Sequence, residues 1–278
     1  MMLLSKQEPV IHDGNWKQFV EPAVNGETAK RGLIPRDYAK HPVGSYRGCP
    51  AFDKIDMSLI PRSEWAARIK EKEEQKSRLS DIILRANGGQ GYPSLDQNGQ
   101  GYCWAYSTTG CVMAMRAVMN QPHVRLSAHA VAWKIKGGRD EGGWGALSME
   151  YIQEKGVPSV EFWKEKSMSA ANDTPATWAN AALHKVTEGW VDLAEAVYDR
   201  NLTFEQLATC LLSNIPVVVD FNWWGHSVFA VDLVSETSIR IRNSWSDSWG
   251  ERGFGVLEGS KAIPVGGVGV RSTIPSVV

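Results

Sequence analysis

A chain of 278 residues, 43% hydrophobic and 22% charged, is long enough to bury a sizeable core as one large domain or two lobes. Its formal net charge of −1 gives no electrostatic basis for binding nucleic acid or an anionic membrane, and no apolar run approaches the length of a bilayer span. Cys49, Cys103, Cys111 and Cys210 are scattered without metal-ligand spacing, so neither zinc nor another cofactor is expected.

Met1-Met2-Leu3-Leu4 is broken by Ser5 and Lys6, so no secretory signal is expected, and a reduced, cytosolic protein or cytosolically assembled particle is the reading. Residues 1–57 are punctuated by Pro9, Pro22, Pro35, Pro42 and Pro50 among five glycines, which leaves no room for a long helix. They read as an extended arm that lies on the body or on a neighbour through Trp16, Phe19, Tyr38, Tyr46 and Phe52. Ser63 to Asn87 reads as one charged, solvated helix closed by Gly88-Gly89.

The polar, glycine-broken loop from Asp96 to Tyr102 then runs into an apolar helix predicted over Cys103–Asn120, stopped by Pro122. Helices over 126–133 and 146–154 follow, the second after the turn Gly142-Gly143-Trp144-Gly145. Beyond residue 178 the period changes. Strands are expected over 184–193, from Val217, over 227–234 and 238–242 as a pair, and over 253–258, with a helix over 204–212. Helices first and strands second argue for an α+β fold with two lobes.

The thiol of Cys103, at a helix N-terminus, sits near unpaired N–H groups and about half a positive charge, which favours the thiolate. His226, entering an apolar strand, can serve as acid and base to it. Asn243, at a strand end, can fix the imidazole's tautomer, and Gln97 can point its amide at a developing oxyanion beside the Cys103 N–H. Each signal is weak alone; the order Gln, Cys, His, Asn is what makes the set specific.

With those residues the sequence resembles the papain-like cysteine peptidases. The matching stretches are Gln97…Gly101-Tyr102-Cys103-Trp104-Ala105-Tyr106-Ser107, Gly142-Gly143, Gly225-His226-Ser227-Val228 and Asn243-Ser244-Trp245…Trp249-Gly250. Ile60 to Trp65 looks like the family's mature N-terminal strand and Gly267 to Pro275 like its closing strand. The resemblance implies a papain-like two-lobed domain over residues 58–278. It comprises a helical left lobe (about 88–180) around the Cys103 helix and a right-lobe antiparallel β-barrel (about 181–278), with the termini crossing over. It implies peptide-bond hydrolysis through a Cys103 thioester and a polypeptide substrate. Gly142, Gly143 and Trp144 would line the cleft, and Trp245 would cover the His226–Asn243 contact. Arg271 would lie at the base of the main specificity pocket and favour acidic side chains two residues before the scissile bond.

Three departures qualify the resemblance. The cysteines that secreted members bridge are replaced at Gln100 and Asp140, which reads as a fold kept in a reducing compartment. Residues 1–57 do not look like the family's helical propeptide. The segment before His226 is short, so loops on one side of the cleft are expected to be missing. A papain-fold assembly subunit that binds a partner through residues 1–57 therefore stands as the alternative.

Overall fold

The computed structural model describes residues 7–20, 23–24, 27–28, 31–187 and 189–275, so the reading of Met1–Leu4 lies outside the described residues. The first fifty residues form β1 (Val10–Ile11), α1 (Lys17–Val20) and a small hairpin of β2 (Ala23–Val24) and β3 (Glu27–Thr28). The helical half comprises α2 (Arg62–Glu74), α3 (Leu79–Arg85), α4 (Cys103–Val118), α5 (Ala128–Lys136), α6 (Gly145–Lys155) and α7 (Pro175–Ala181). Then come β4 (Val191–Asp192), α8 (Arg200–Leu212), β5 (Val217–Phe221), β6 (His226–Ser235), β7 (Ser238–Arg242), β8 (Phe254–Glu258) and β9 (Gly266–Gly269).

The charged helix predicted over 63–87 is two helices, because Lys76 takes a left-handed φ of 53° and turns the chain between them. The strand expected over 184–193 is reduced to Val191–Asp192 and a bridge from Val186 to Thr273. Local capping sets other boundaries. Thr174 accepts from the Thr177 N–H before Pro175 opens α7, and Asp199 accepts from the Leu202 N–H at 2.9 Å to open α8.

The α+β expectation holds. Helix α4 lies at the centre of the helical half, touching α3, α5 and α6, and its other side packs on β5 and β6. Residues 103 through 116 are all buried, so this helix is core on every face rather than amphipathic. Gly110 permits the closest approach: a Cβ there would come within 2.5 Å of the Phe229 ring on β6. The strands form one seven-stranded sheet in the order β1-β8-β7-β6-β5-β9-β4, antiparallel except where β1 runs parallel to β8.

The N-terminal segment is stitched into this body. Ile11, Tyr46, Cys49 and Phe52 are buried in the core, and Trp16 meets Trp223 edge-on with centroids 5.9 Å apart. Glu8 accepts two bonds from Arg240, at 2.6 and 3.0 Å. Arg36 grips the fully buried carboxylate of Asp192 with both nitrogens at 2.9 Å, and Gly44 adds its N–H to the same carboxylate at 2.9 Å. Described parts of the arm thus lie on their own body.

Candidate active site

Helix α4 begins at Cys103 and strand β6 begins at His226, so the packing of α4 on β6 brings their first residues together. The Ser227 N–H, next to His226, donates to the Cys103 sulfur at 3.4 Å. The Nε2 atom of His226 is 2.8 Å from Oδ1 of Asn243, just past the end of β7, while Nδ1 is buried and has no hydrogen-bond partner among the described residues. The Asn243 oxygen also accepts the Ser244 N–H at 2.8 Å, which makes it the acceptor and Nε2 the protonated nitrogen. That tautomer leaves Nδ1 with its lone pair free to take a proton.

Aromatic rings seal this contact. Trp245 stacks on the His226 imidazole at 4.6 Å and 26°, and Trp224 meets it edge-on at 5.1 Å. Asn243 and Trp245 are buried, so water has no path to the bond between His226 and Asn243. The turn is pinned to the loop before α4: Gln97 donates its N–H to the Ser244 carbonyl at 2.9 Å, and Ser246 donates to Leu95 at 3.0 Å.

Ser244 has a role that sequence reading missed. Its hydroxyl donates to Oε1 of Gln97 at 2.7 Å, which turns the Gln97 NH₂ the other way. That NH₂ donates to the Arg31 carbonyl at 3.1 Å and to the Gln100 carbonyl at 2.7 Å. The Cys103 N–H donates to the same Arg31 carbonyl at 3.4 Å. The two donors predicted for an oxyanion therefore converge on one oxygen, supplied by the chain's own arm.

The arm continues along the cleft from there. Leu33 donates to the Gly225 carbonyl at 3.2 Å, Gly143 donates to the Gly32 carbonyl at 3.0 Å, and Ile34 donates to the Gly143 carbonyl at 2.9 Å. Gly142 lies beneath the same strand, with the Gly32 carbonyl 2.5 Å from where a Cβ would stand. Trp144 is covered as well, its indole N–H donating to the Tyr46 hydroxyl at 2.7 Å and its ring 5.5 Å from His41. Gly32 is required by this path: its φ is +104°, and a Cβ would sit 2.1 Å from the Gly101 carbonyl oxygen.

One expectation changes. Burial under the arm pushes the Cys103 thiol up, against the pull of the Ser227 and Trp104 N–H groups, so this form holds a neutral thiol rather than a thiolate. Burial likewise lowers His226 to about 3; its bond to Asn243 opposes that and the Arg31 charge adds to it. Arg271 follows β9 at the end opposite Gly266, with Nη1 3.6 Å from where a Cβ on Gly189 would stand.

The model of the papain family cysteine proteases matches residues 82–271. Cathepsin L 2 of Paramecium tetraurelia is 26% identical over 194 residues, 60% of this chain and 56% of that protein. Digestive cysteine proteinase 3 of Homarus americanus is 25% identical over 185 residues, 58% of this chain and 56% of that protein. The chain thus spans about half the length of the curated relatives it matches. Among solved structures, xylellain, a cysteine protease from Xylella fastidiosa, is similar over 100% of both chains, with a TM-score of 0.58 at 16% identity. Digestive procathepsin L2 proteinase from the larval midgut of Tenebrio molitor gives 0.57 at 18% identity, over 90% of this chain and 79% of that one.

Relatives described as digestive, one from a midgut, overturn the cytosolic expectation. Its physical basis also fails. Where a disulfide between positions 100 and 140 is absent, Asp140 accepts the Gly101 N–H at 2.7 Å and ties the same two loops without sulfur. The loops are joined without sulfur, so the missing cysteines do not by themselves fix the redox state around them. With the family match running from α3 past β9 and enclosing Gln97, Cys103, His226 and Asn243, the chain belongs to the papain family of cysteine proteases.

Proposed function

We propose that the chain is a cysteine peptidase that hydrolyses peptide bonds through Cys103, stored with residues 31–34 lying in its own cleft. The observation that carries this reading is the convergence of the Gln97 NH₂ and the Cys103 N–H on the Arg31 carbonyl oxygen. Two donors converging on one carbonyl oxygen beside a thiol are what an acyl-transfer site needs, and one such donor is worth roughly 3–4 kcal/mol of barrier.

Once the arm leaves, Nδ1 of His226 takes the thiol proton and the sulfur attacks the substrate carbonyl carbon. The oxyanion takes the place of the Arg31 oxygen, and His226 gives its proton to the leaving amine. Water, deprotonated by His226, then releases the acid from the thioester. Asn243 holds the imidazole in register throughout, under Trp245.

The arm is stored rather than cut. In this reading a substrate lays the residues before its scissile bond along Gly143, leading toward the oxyanion donors. Here the numbering rises away from those donors, from Arg31 to Ile34, and Leu33 pairs with Gly143 in the parallel sense. The Arg31–Gly32 peptide is thus held backwards.

The test is labelling of the full-length chain by a thiol-directed epoxide, compared with Gly32→Ala, which cannot hold the arm in place, and Cys103→Ser. Slow labelling of the parent, faster labelling of Gly32→Ala and none of Cys103→Ser is expected. A folded Gly32→Ala chain that never labels would sink the peptidase reading and favour the structural-subunit alternative.

A further inference from the structure

The arm marks where a substrate's side chains would fall. Arg31 supplies the oxygen at the oxyanion donors, and Leu33, two residues away, pairs with Gly143. Gly143 therefore faces the second residue out from the reacting carbonyl. Two residues beyond it, the Gly145 N–H donates to Oδ2 of Asp220 at 3.2 Å. Asp220 pairs across the sheet with Ser227, the residue after His226, on one side and with Gly266 on the other.

Neither Gly145 nor Gly266 has a side chain to cover this carboxylate. Its Oδ1 is shut off from water and has no hydrogen-bond partner among the described residues, and a Cβ on Gly145 would lie 3.7 Å from it. The arm fills the space: the Tyr38 hydroxyl stands where a Cβ on Gly266 would be. The arm also supplies positive charge. Its Arg36 guanidinium lies 4.5 Å from the Tyr38 ring centroid and acts electrostatically on Asp220 while bonding both oxygens of Asp192. Asp192 belongs to β4, which pairs with β9 on the side away from Asp220.

When the arm leaves, Tyr38 and Arg36 leave with it, and two carboxylates lose their cover and their cation. A buried carboxylate oxygen with no partner is costly, and a guanidinium or ammonium group entering from a substrate removes that penalty. Burial raises Asp220 to about 6, and the Ser227 hydroxyl and the Gly145 N–H only partly oppose it.

We propose that this pocket selects a Lys or Arg side chain at the second residue before the scissile bond, with Asp220 as its counter-charge. The inference rests on the peptidase reading. It replaces the acidic preference that Arg271 implied, since Arg271 lies away from Gly266.

The experiment uses full-length Gly32→Ala and Arg36→Ala chains and two separate readouts. A small thiol-directed epoxide counts competent Cys103 whatever the pocket prefers. Acetyl-X-Ala coumarin amides, with X as Arg, Lys, Leu, Phe or Glu, then give kcat/KM for each side chain. Arg and Lys are expected to exceed Leu and Phe by at least tenfold, and Asp220→Asn to erase that ratio. Labelling together with a preference for Leu, Phe or Glu overturns the pocket assignment and leaves the peptidase reading standing. No labelling and no hydrolysis of any amide overturns the peptidase reading, and the pocket assignment falls with it. Should Asp220→Asn fail to fold, the side-chain ranking in the two opened chains decides alone.

Discussion

The Ser244 hydroxyl donates to Oε1 of Gln97 at 2.7 Å, and this bond decides which end of the Gln97 amide faces Cys103. Without it the amide could rotate and present an oxygen, which would repel an oxyanion. In an arm-opened chain, Gln97→Ala is expected to lower kcat by roughly 10²–10³ with little change in KM, the signature of a transition-state donor. Ser244→Ala should cost about tenfold in kcat, the scale of one hydrogen bond. Equal kcat in Ser244→Ala and parent would show that the Gln100 carbonyl, which accepts the Gln97 NH₂ at 2.7 Å, orients the amide without Ser244.

The Arg36–Asp192 pair ties the arm to the body, with side chains only 5% and 0% exposed. Removing one partner of a buried pair strands the other, at a cost of about 3–5 kcal/mol. Arg36→Ala should therefore lower the urea midpoint and speed Cys103 labelling together. The double variant Arg36→Ala/Asp192→Ala should recover much of the stability while labelling stays fast. Recovery of both, or of neither, would mean that the pair does not hold the arm.

How much of this was legible in the residues differs by level. Gln97, Cys103, His226 and Asn243 were readable because each is a chemically particular residue at a helix start, strand start or strand end. Gly142, Gly143 and Trp144 were readable through the same family resemblance, and the structure finds the arm lying on all three. Ser244 was visible in Asn-Ser-Trp, yet nothing in the sequence says that its hydroxyl reaches 147 residues back to Gln97. Arg31 carried no signal at all, because what it contributes is a backbone carbonyl, which every residue has. Asp220 was hidden in an apolar run as a lone charge. Register against Gly266 and Ser227 is what gives it a place, and register is a property of the folded sheet. Arg271 was placed by counting along a strand, which does not fix which end meets the cleft.

The polar tie between Gly101 and Asp140 can be replaced by a covalent one between positions 100 and 140. Gly101 and Asp140 are already joined at 2.7 Å, so Gln100→Cys/Asp140→Cys should oxidise to a disulfide across a loop of about 40 residues, for which chain entropy gives up to ~4 kcal/mol. Loss of two titratable thiols and a raised melting temperature are expected. Two thiols that stay free under oxidant would show that the loops do not approach as the hydrogen bond indicates.

Stability should fall in acid, and buried histidines set the window. His129 is fully buried, with Nδ1 2.6 Å from the Tyr106 hydroxyl and Nε2 unpartnered among the described residues, and burial lowers it to about 4. His184, 3% exposed, is lowered to about 4 as well, by burial first and then by the charge of Arg116. A histidine whose folded pKa lies below its unfolded value of 6.5 is protonated first in the unfolded chain as pH drops. Its contribution is complete above pH 6.5 and is lost as pH falls toward 4, on the order of 3 kcal/mol for a shift of that size. Asp220 works the other way: raised to about 6, it takes its proton first in the folded chain and offsets part of the loss. His226, held near 3, adds to the histidine side. His123 is lowered by burial as well, and burial raises Asp192 and Glu195 as it does Asp220. The four lowered histidines, together with carboxylates held low by their partners such as Asp81 and Asp173, outweigh those three and leave a net fall. Urea midpoints should thus be level above pH 6.5 and decline below it. The decline should be shallower in His129→Gln, which carries no titrating ring; an unchanged slope in that variant would place the acid lability elsewhere.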